Sequence, residues 1–322
     1  MANPGLSELI TTTLRYRTKP IRDAITDNIP LIKRLDSKGN AQPFPGGRSI
    51  VEPIDYIDNA TYTRYTGYEA LDITPQDVIT GAEFSLKQAA MSVSMSGTEQ
   101  LQNSGSKESF LNWLEARVKN AERSFMNALD ADMWSSGTAS GGKQIGGMQL
   151  LISDDATGTV GGIVAGSNTF WQNQFYDFST NSLTASASTI QHAMNTLWLN
   201  CSRNNDKPDL IFADNTYFTY FEESLQAIQR LTSAEKGKSG FGGYAYKDAE
   251  VVPAGGMSGN CPSAHMYFVN TDFIHYRPHA DRNVEVIGGD RESTNQDAFV
   301  RLIGWAGNMT VSNRRMQGVI VA

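Results

Sequence analysis

Apolar residues recur at helical spacing through an unusually long stretch. Phe110, Leu114, Val118, Ala121, Phe125, Leu129 and Met133 fall at steps of four and three, with Glu115, Arg117, Lys119, Glu122 and Arg123 on the opposite side. The pattern predicts one amphipathic helix over residues 107–135, with one stripe buried and one face wet. At ~1.5 Å per residue it would reach roughly 43 Å, more than a compact domain needs to cover its own core, so it reads as a strut. Ser106 is placed to cap its start with Glu108 in the first turn, and Gly137 to close its end in the left-handed conformation.

Ahead of that helix the period changes. β-Favouring and polar residues alternate over 61–65 and again over 83–87, with Pro75 and Gly81 punctuating between, which predicts a long two-stranded projection. A lone hairpin is marginal in water and needs a surface to lie on. Beyond the helix, residues 134–168 are rich in Gly, Ser and Thr and predict turns and short strands. Ile190, Ala193, Met194 and Leu197 then keep helical spacing within 186–199, and 210–213 is a short apolar strand. Asp214 caps a second helix running to about Arg230, with Tyr217, Phe218, Phe221, Leu225 and Ile228 as its buried face. Residues 237–243 read as a mobile loop, and 266–269, 274–276, 298–303, 309–312 and 319–321 as strands. Helices laid on a small sheet predict a mixed α/β domain.

The segment WSSGTASGGKQIGGMQLLI, residues 134–152, resembles the end of the spine helix and the adjoining turn of tailed-bacteriophage major capsid proteins. The resemblance extends to residues 9–35, 46–97, 208–231 and 306–320, in that order and spacing, and so covers nearly the whole chain. It implies an α+β fold of the Hong Kong 97 type. By resemblance, 1–47 is an N-terminal arm reaching between subunits and 48–98 an extended β-hairpin loop lying over a neighbour. Residues 99–180 with 298–322 form a peripheral domain built on the 107–135 spine, and 181–297 an axial α/β domain. The last segment is expected to rejoin the sheet beneath the spine, making the peripheral domain discontinuous.

Charge adds a mechanism to that picture. Residues 1–40 carry seven Lys or Arg against four Asp or Glu, a net +3, so the remainder carries −10 of the total −7. Residues 50–98 hold only Arg64 and Lys87 against seven acids, a net −5. A positive arm meeting a negative loop is a plausible adhesive, which nominates Arg15, Lys19 and Arg22 in the arm and Glu69, Asp72 and Asp77 in the loop as subunit-interface residues. Exposed pairs contribute only about 0–1 kcal/mol each and mainly fix register.

Enzyme chemistry finds only near misses. Gly137, Gly142 and Lys143 match the spacing of a phosphate-binding loop, but Gln144 stands where Ser or Thr would hold magnesium, and the stretch follows a helix instead of a strand. His275 and His279 lie four apart, yet Pro278 argues against a helix presenting both, and His192 and His265 complete no zinc motif. Neither Cys201 nor Cys261 sits in a nucleophile signature; both read as inert buried thiols of a protein folded in a reducing cytoplasm. Asp154–Asp155 read as turn residues. No catalytic set, cofactor or metal is expected. The chain is net acidic and its densest basic patches are Lys33–Arg34 and Arg314–Arg315, so sequence-specific nucleic-acid binding is not expected. The N-terminus shows no signal-peptide pattern and no stretch approaches ~18 apolar residues, so neither secretion nor membrane insertion is indicated.

The expectation is a non-enzymatic major capsid protein of a tailed phage, assembled in the host bacterial cytoplasm and resident in the virion. By resemblance, copies form pentamers and hexamers in an icosahedral shell around double-stranded DNA, with a portal and a decoration protein as further partners. Only about 47 residues precede the loop, leaving little room for a built-in scaffold and favouring a separate one. Lys87 is a weak pointer to an intersubunit isopeptide link. The alternatives are an encapsulin-type nanocompartment, favoured by a packaged enzyme cargo, and an α/β enzyme using the loop at residues 137–143, favoured by nucleotide binding.

Overall fold

The structure, a computed structural model, describes residues 29–102, 107–226, 244–256, 259–292 and 297–322. In chain order it begins with α1 (Pro30–Ser37), β1 (Ser49–Asp55), β2 (Ile79–Ser85), β3 (Lys87–Ser96), α2 (Gly97–Gln102) and the spine helix α3 (Lys107–Met133). Short pieces follow: α4 (Ala139–Gly142), α5 (Met148–Leu151), β4 (Thr159–Val160), β5 (Ile163–Val164), two 3₁₀ turns and β6 (Gln174–Asp177). Then come α6 (Ile190–Asn200), β7 (Leu210–Ala213), α7 (Asn215–Gln226), β8 (Tyr244–Tyr246), β9 (Ala249–Pro253) and β10 (His265–Val269). β11 (Ile274–Pro278), β12 (Glu285–Glu292), β13 (Ala298–Val311) and β14 (Gly318–Val321) complete the chain.

The expected stripe of α3 is buried at Val118, Ala121, Phe125, Leu129 and Met133. Ser106 and the side chains of Glu108, Phe110, Leu114 and Glu115 lie outside the described residues. The helix ends by tightening: Trp134 N–H donates to Ala131 O (3.2 Å) and Ser135 N–H to Asp132 O (3.1 Å). Gly137 does adopt a left-handed φ of +72°, but in the turn beyond, where its N–H donates to Ser135 Oγ (3.2 Å), so it does not close the helix. Asp130 and Asp132 sit in the last turn, where the helix dipole disfavours acids. Amides from other segments hold them: Asn260 Nδ2 donates to Asp130, and Gln144 Nε2 to Asp132 at 2.8 Å.

Two sheets flank the spine. In one, the long β13 is central: β3 pairs along one edge from Ala298↔Ser96 to Gly307↔Lys87, while β12 and β11 share the other. β3 pairs with β13 without a break from 298 to 307 and β11 takes over from 307 to 311, so the two strands expected there are one. α3 packs against β3, and Arg117 Nη1 donates to Ser94 O at 2.7 Å. The second sheet has the order β6-β14-β10-β7-β9-β8. Its strands are apolar on both faces: Ile211, Met266, Phe268 and Ile320 pack beneath α6 and α7, while Phe212, Tyr267, Val269 and Val319 join the core that contains the spine. Trp134, just past α3, meets Phe212 edge-on at 5.1 Å and Tyr267 at 5.8 Å, fixing the spine to this sheet.

This topology places both ends of the described chain. β13 lies against the spine through β3, whereas β14 inserts between β6 (parallel) and β10 (antiparallel) in the six-stranded sheet, with Val319 facing the core that contains the spine. The N-terminal segment, where described, docks on its own subunit. Leu31, Ile32 and Leu35 are buried, Arg34 and Lys38 reach Asp209 at 3.1 and 3.2 Å, and residues 40–44 run along β11, with Phe44 N–H donating to Pro278 O at 2.6 Å.

Candidate subunit-interface surface

Several residues that stood out chemically in the sequence have structural partners. Gln144, the misfit of the phosphate-loop pattern, is the residue that holds Asp132, and the stretch contains Ser140 and Gly141 at positive φ instead of a helix start. His275 Nε2 lies 3.4 Å from Ser312 Oγ, while His279 Nδ1 accepts the Asp281 N–H at 3.1 Å; the two share no partner. Among the described residues no His, Cys, Asp and Glu grouping could hold a metal ion, and no helix is long and apolar enough to cross a membrane. Cys201 and Cys261 are buried and free, and burial pushes both thiols up. Of the Arg314–Arg315 patch, only Arg315 faces solvent. Arg314 is fully buried, donating to Leu151 O (2.8 Å), Trp171 O (3.0 Å) and Asn173 Oδ1 (2.9 Å).

The surface that stands out is the loop between β1 and β2. The two strands pair antiparallel from Ser49↔Ser85 to Asp55↔Ile79, and Tyr56 extends the ladder by donating its N–H to Val78 O (3.1 Å) and its hydroxyl to Asp77 O (2.8 Å). Past Tyr56 the chain forms no strand, and the one expected at 61–65 is absent: residues 61–66 are turn and irregular chain. Tyr and Thr favour strands only where a partner strand supplies cross-strand contacts, and here none does. Local side-chain caps hold the tip instead. Asn59 Oδ1 accepts Thr61 N–H (2.9 Å), Glu69 Oε2 accepts Thr66 N–H (3.1 Å), and Asp72 Oδ1 accepts the Thr74 N–H (3.0 Å) and hydroxyl (2.6 Å). The Thr74 hydroxyl and amide lower the Asp72 pKa below the usual carboxylate range.

Glu69, Asp72 and Asp77 are all exposed on this loop, the first two within turns of the tip and Asp77 at its return beside Tyr56. Arg15, Lys19 and Arg22 lie outside the described residues. What charge counting missed is the apolar surface between these acids. Tyr62, Tyr65, Tyr68, Leu71 and Ile73 are exposed, Tyr62 at 79 % and Ile73 at 91 %. Burying half of about 200 Å² on each of three tyrosines at ~25 cal/mol per Å² comes to roughly 7 kcal/mol before ordering costs. Exposed ion pairs bring ~0–1 kcal/mol each. An interface formed at this tip would therefore draw most of its energy from the aromatic and aliphatic side chains and little from the acids.

The base of the loop is held differently. Of β1, Ile50, Glu52 and Ile54 face inward, beside Ala82 and Phe84 of β2. Glu52 is 5 % exposed; Arg277 Nε and Nη2 donate to its two oxygens at 2.9 and 3.3 Å, and the Thr310 hydroxyl donates to Oε1 at 2.8 Å. On the β2 side, Glu83 N–H donates to Gly161 O at 2.9 Å.

This architecture is found in solved shells. The chain is similar to a chain of the cyanophage A-1(L) capsid asymmetric unit, with 15% identity, a TM-score of 0.61, and 85% of this chain and 86% of that one covered. It is also similar to the capsid of an empty GTA particle, at 12% identity and TM-score 0.54 with 88% of each chain covered. A third likeness is to the SrpI encapsulin of Synechococcus elongatus PCC 7942, at 8% identity and TM-score 0.53, covering 89% of this chain and 86% of that one. No protein-family model matches the chain, and no curated protein matches it. The fold is the phage-type capsid-shell fold, α+β, with a spine helix, an extended loop and a sheet-and-helix unit.

Proposed function

We propose that this chain is the major capsid protein of a tailed bacteriophage, a structural and non-catalytic subunit that associates through pentamers and hexamers into an icosahedral shell around double-stranded DNA. The single observation that carries this reading is the loop tip: apolar side chains held in the open at the end of a two-stranded stalk have no use within one subunit. A second copy of the chain is the partner that a repeated heterologous contact supplies. The basic segment at Arg15, Lys19 and Arg22 is the proposed electrostatic complement of Glu69, Asp72 and Asp77 on a neighbour. A separate scaffolding protein, a portal and a decoration protein are the further partners this role calls for.

The likeness to an encapsulin supports a second reading, a nanocompartment shell enclosing protein cargo instead of a genome. The deciding experiment is light scattering and nuclease protection on the purified protein and on Tyr62→Ser/Tyr65→Ser/Tyr68→Ser. The wild type is expected to form large particles and the triple variant to stay dispersed while folded. A strictly monomeric wild type at high concentration, with and without a scaffold candidate, rejects both shell readings. Nuclease-protected DNA in particles from infected cells selects the phage reading; protein cargo without DNA selects the compartment.

A further inference from the structure

We infer that the buried Glu52–Arg277 fork is an orientation lock for the extended loop, positioning its tip for docking; the docking half rests on the function proposed above. The inward row of β1 reads Ile50, Glu52, Ile54, and the cross-strand partner of Glu52 is Ala82, so a carboxylate stands where packing alone asks for an apolar side chain. It is nearly inaccessible, and its two oxygens take three donors: Nε and Nη2 of Arg277 on β11 and the hydroxyl of Thr310 on β13. Arg277 is fixed in turn, its Nη1 donating to Gln42 Oε1 at 3.2 Å.

Stability alone does not account for the arrangement. A buried ion pair loses most of its attraction to desolvation, and well-packed apolar replacements are often neutral or stabilising. Direction does account for it. The stalk is only two strands wide, and Ile50, Ile54 and Phe84 offer the body a non-directional apolar face along which it could tilt or slide. A planar guanidinium gripping a carboxylate with two parallel bonds admits one geometry. A one-residue slip would expose Glu52 and turn Val51 inward, leaving the half-buried Arg277 without its carboxylate. The pair lies at the root of the stalk, so a small rotation there becomes a large displacement at Tyr68. The other strand is tied by two separate bonds, Glu83 N–H to Gly161 O at 2.9 Å and Asn308 Nδ2 to Ser85 O at 2.8 Å, neither of which has the paired geometry of the fork.

The test compares the charged pair with an apolar one. Spin labels on Tyr68→Cys at the tip and Ser124→Cys on the solvent face of the spine report the tip-to-body distance distribution; the native thiols are buried. Glu52→Leu/Arg277→Met is expected to melt at or above the wild-type temperature yet to broaden that distribution. If only about a tenth of the tips then point correctly, apparent affinity for the neighbour falls about tenfold, and shell yield falls with it. A distribution as narrow as the wild type overturns the lock, whatever the chain assembles into. A broadened distribution with wild-type shell yield and size overturns its role in docking. Arg277→Ala serves as the destabilised control, because it leaves Glu52 buried without its partner.

Discussion

At the scale of single residues, buried polar groups carry information that periodicity does not. Arg314 counts as half of a basic patch in the sequence, yet it closes the junction between α5, the 3₁₀ turns and β6 through backbone and amide oxygens. Burial lowers its pKa to about 10, against the pull of Asp155, so it stays charged at neutral pH. Arg314→Ala strands these acceptors and is expected to cost about 3 kcal/mol or more, read as a lowered denaturation midpoint; a shift under ~1 kcal/mol would contradict its role. Two histidines should oppose one another. Burial disfavours charged His265, but Asp154 (3.2 Å), the Ser263 carbonyl and the charge of Asp214 outweigh it and raise its pKa. Its contribution is present below the ordinary value of ~6.5 and is lost as pH rises through the folded value. Burial lowers His275, aided by Arg277 and opposed by Glu52, so its contribution is present above ~6.5 and is lost as pH falls. Urea midpoints across pH 5–9 should therefore lose their high-pH decline in His265→Gln and their low-pH decline in His275→Gln.

Among elements, those whose pattern is local were legible. The α3 stripe, α6 with Ile190, Ala193, Met194 and Leu197, and the cap of α7, where Asp214 Oδ1 accepts Tyr217 N–H at 2.8 Å, appear as periodicity and cap residues predict. Residues 227–243, holding Ile228 and the glycine-rich 237–243 segment, lie outside the described residues. Val118→Asp and Phe125→Asp each place an unpaired charge on the buried stripe and should prevent soluble folding; circular dichroism of soluble, wild-type-like protein from both would contradict the assigned face. Arg117 looked like a plain member of the wet face, but it joins Ser94 O on β3 to Glu99, whose side chain also closes a capping box with Ser96 at the start of α2. Arg117→Ala should therefore fold with a measurably lower melting temperature. What stayed illegible depended on long-range partners: β14 carries no local mark of which sheet it joins, and residues 61–65 have strand composition without a strand to pair with.

For the whole molecule, the charge count and the exposed apolar side chains single out the same loop. The acids at Glu69, Asp72 and Asp77 are exposed, but in the proposed assembly the larger share of docking energy would belong to the side chains between them, which a charge count does not see. The account therefore predicts graded effects. Reversing Glu69, Asp72 and Asp77 to Lys should leave the subunit folded, slow assembly, and make it less sensitive to salt, whereas the tyrosine triple variant should abolish assembly. Reversing Arg15, Lys19 and Arg22 to Glu should reproduce the assembly defect, and combining the two charge reversals should restore particles if arm and loop are partners. Light scattering against ionic strength reads all of these. The most direct test of the central claim is electron cryomicroscopy of the purified, full-length protein. The account predicts closed shells in which the tip at residues 62–73 lies against an adjacent subunit with its tyrosines covered. Monomers alone, or particles in which that tip folds back on its own subunit, would contradict it.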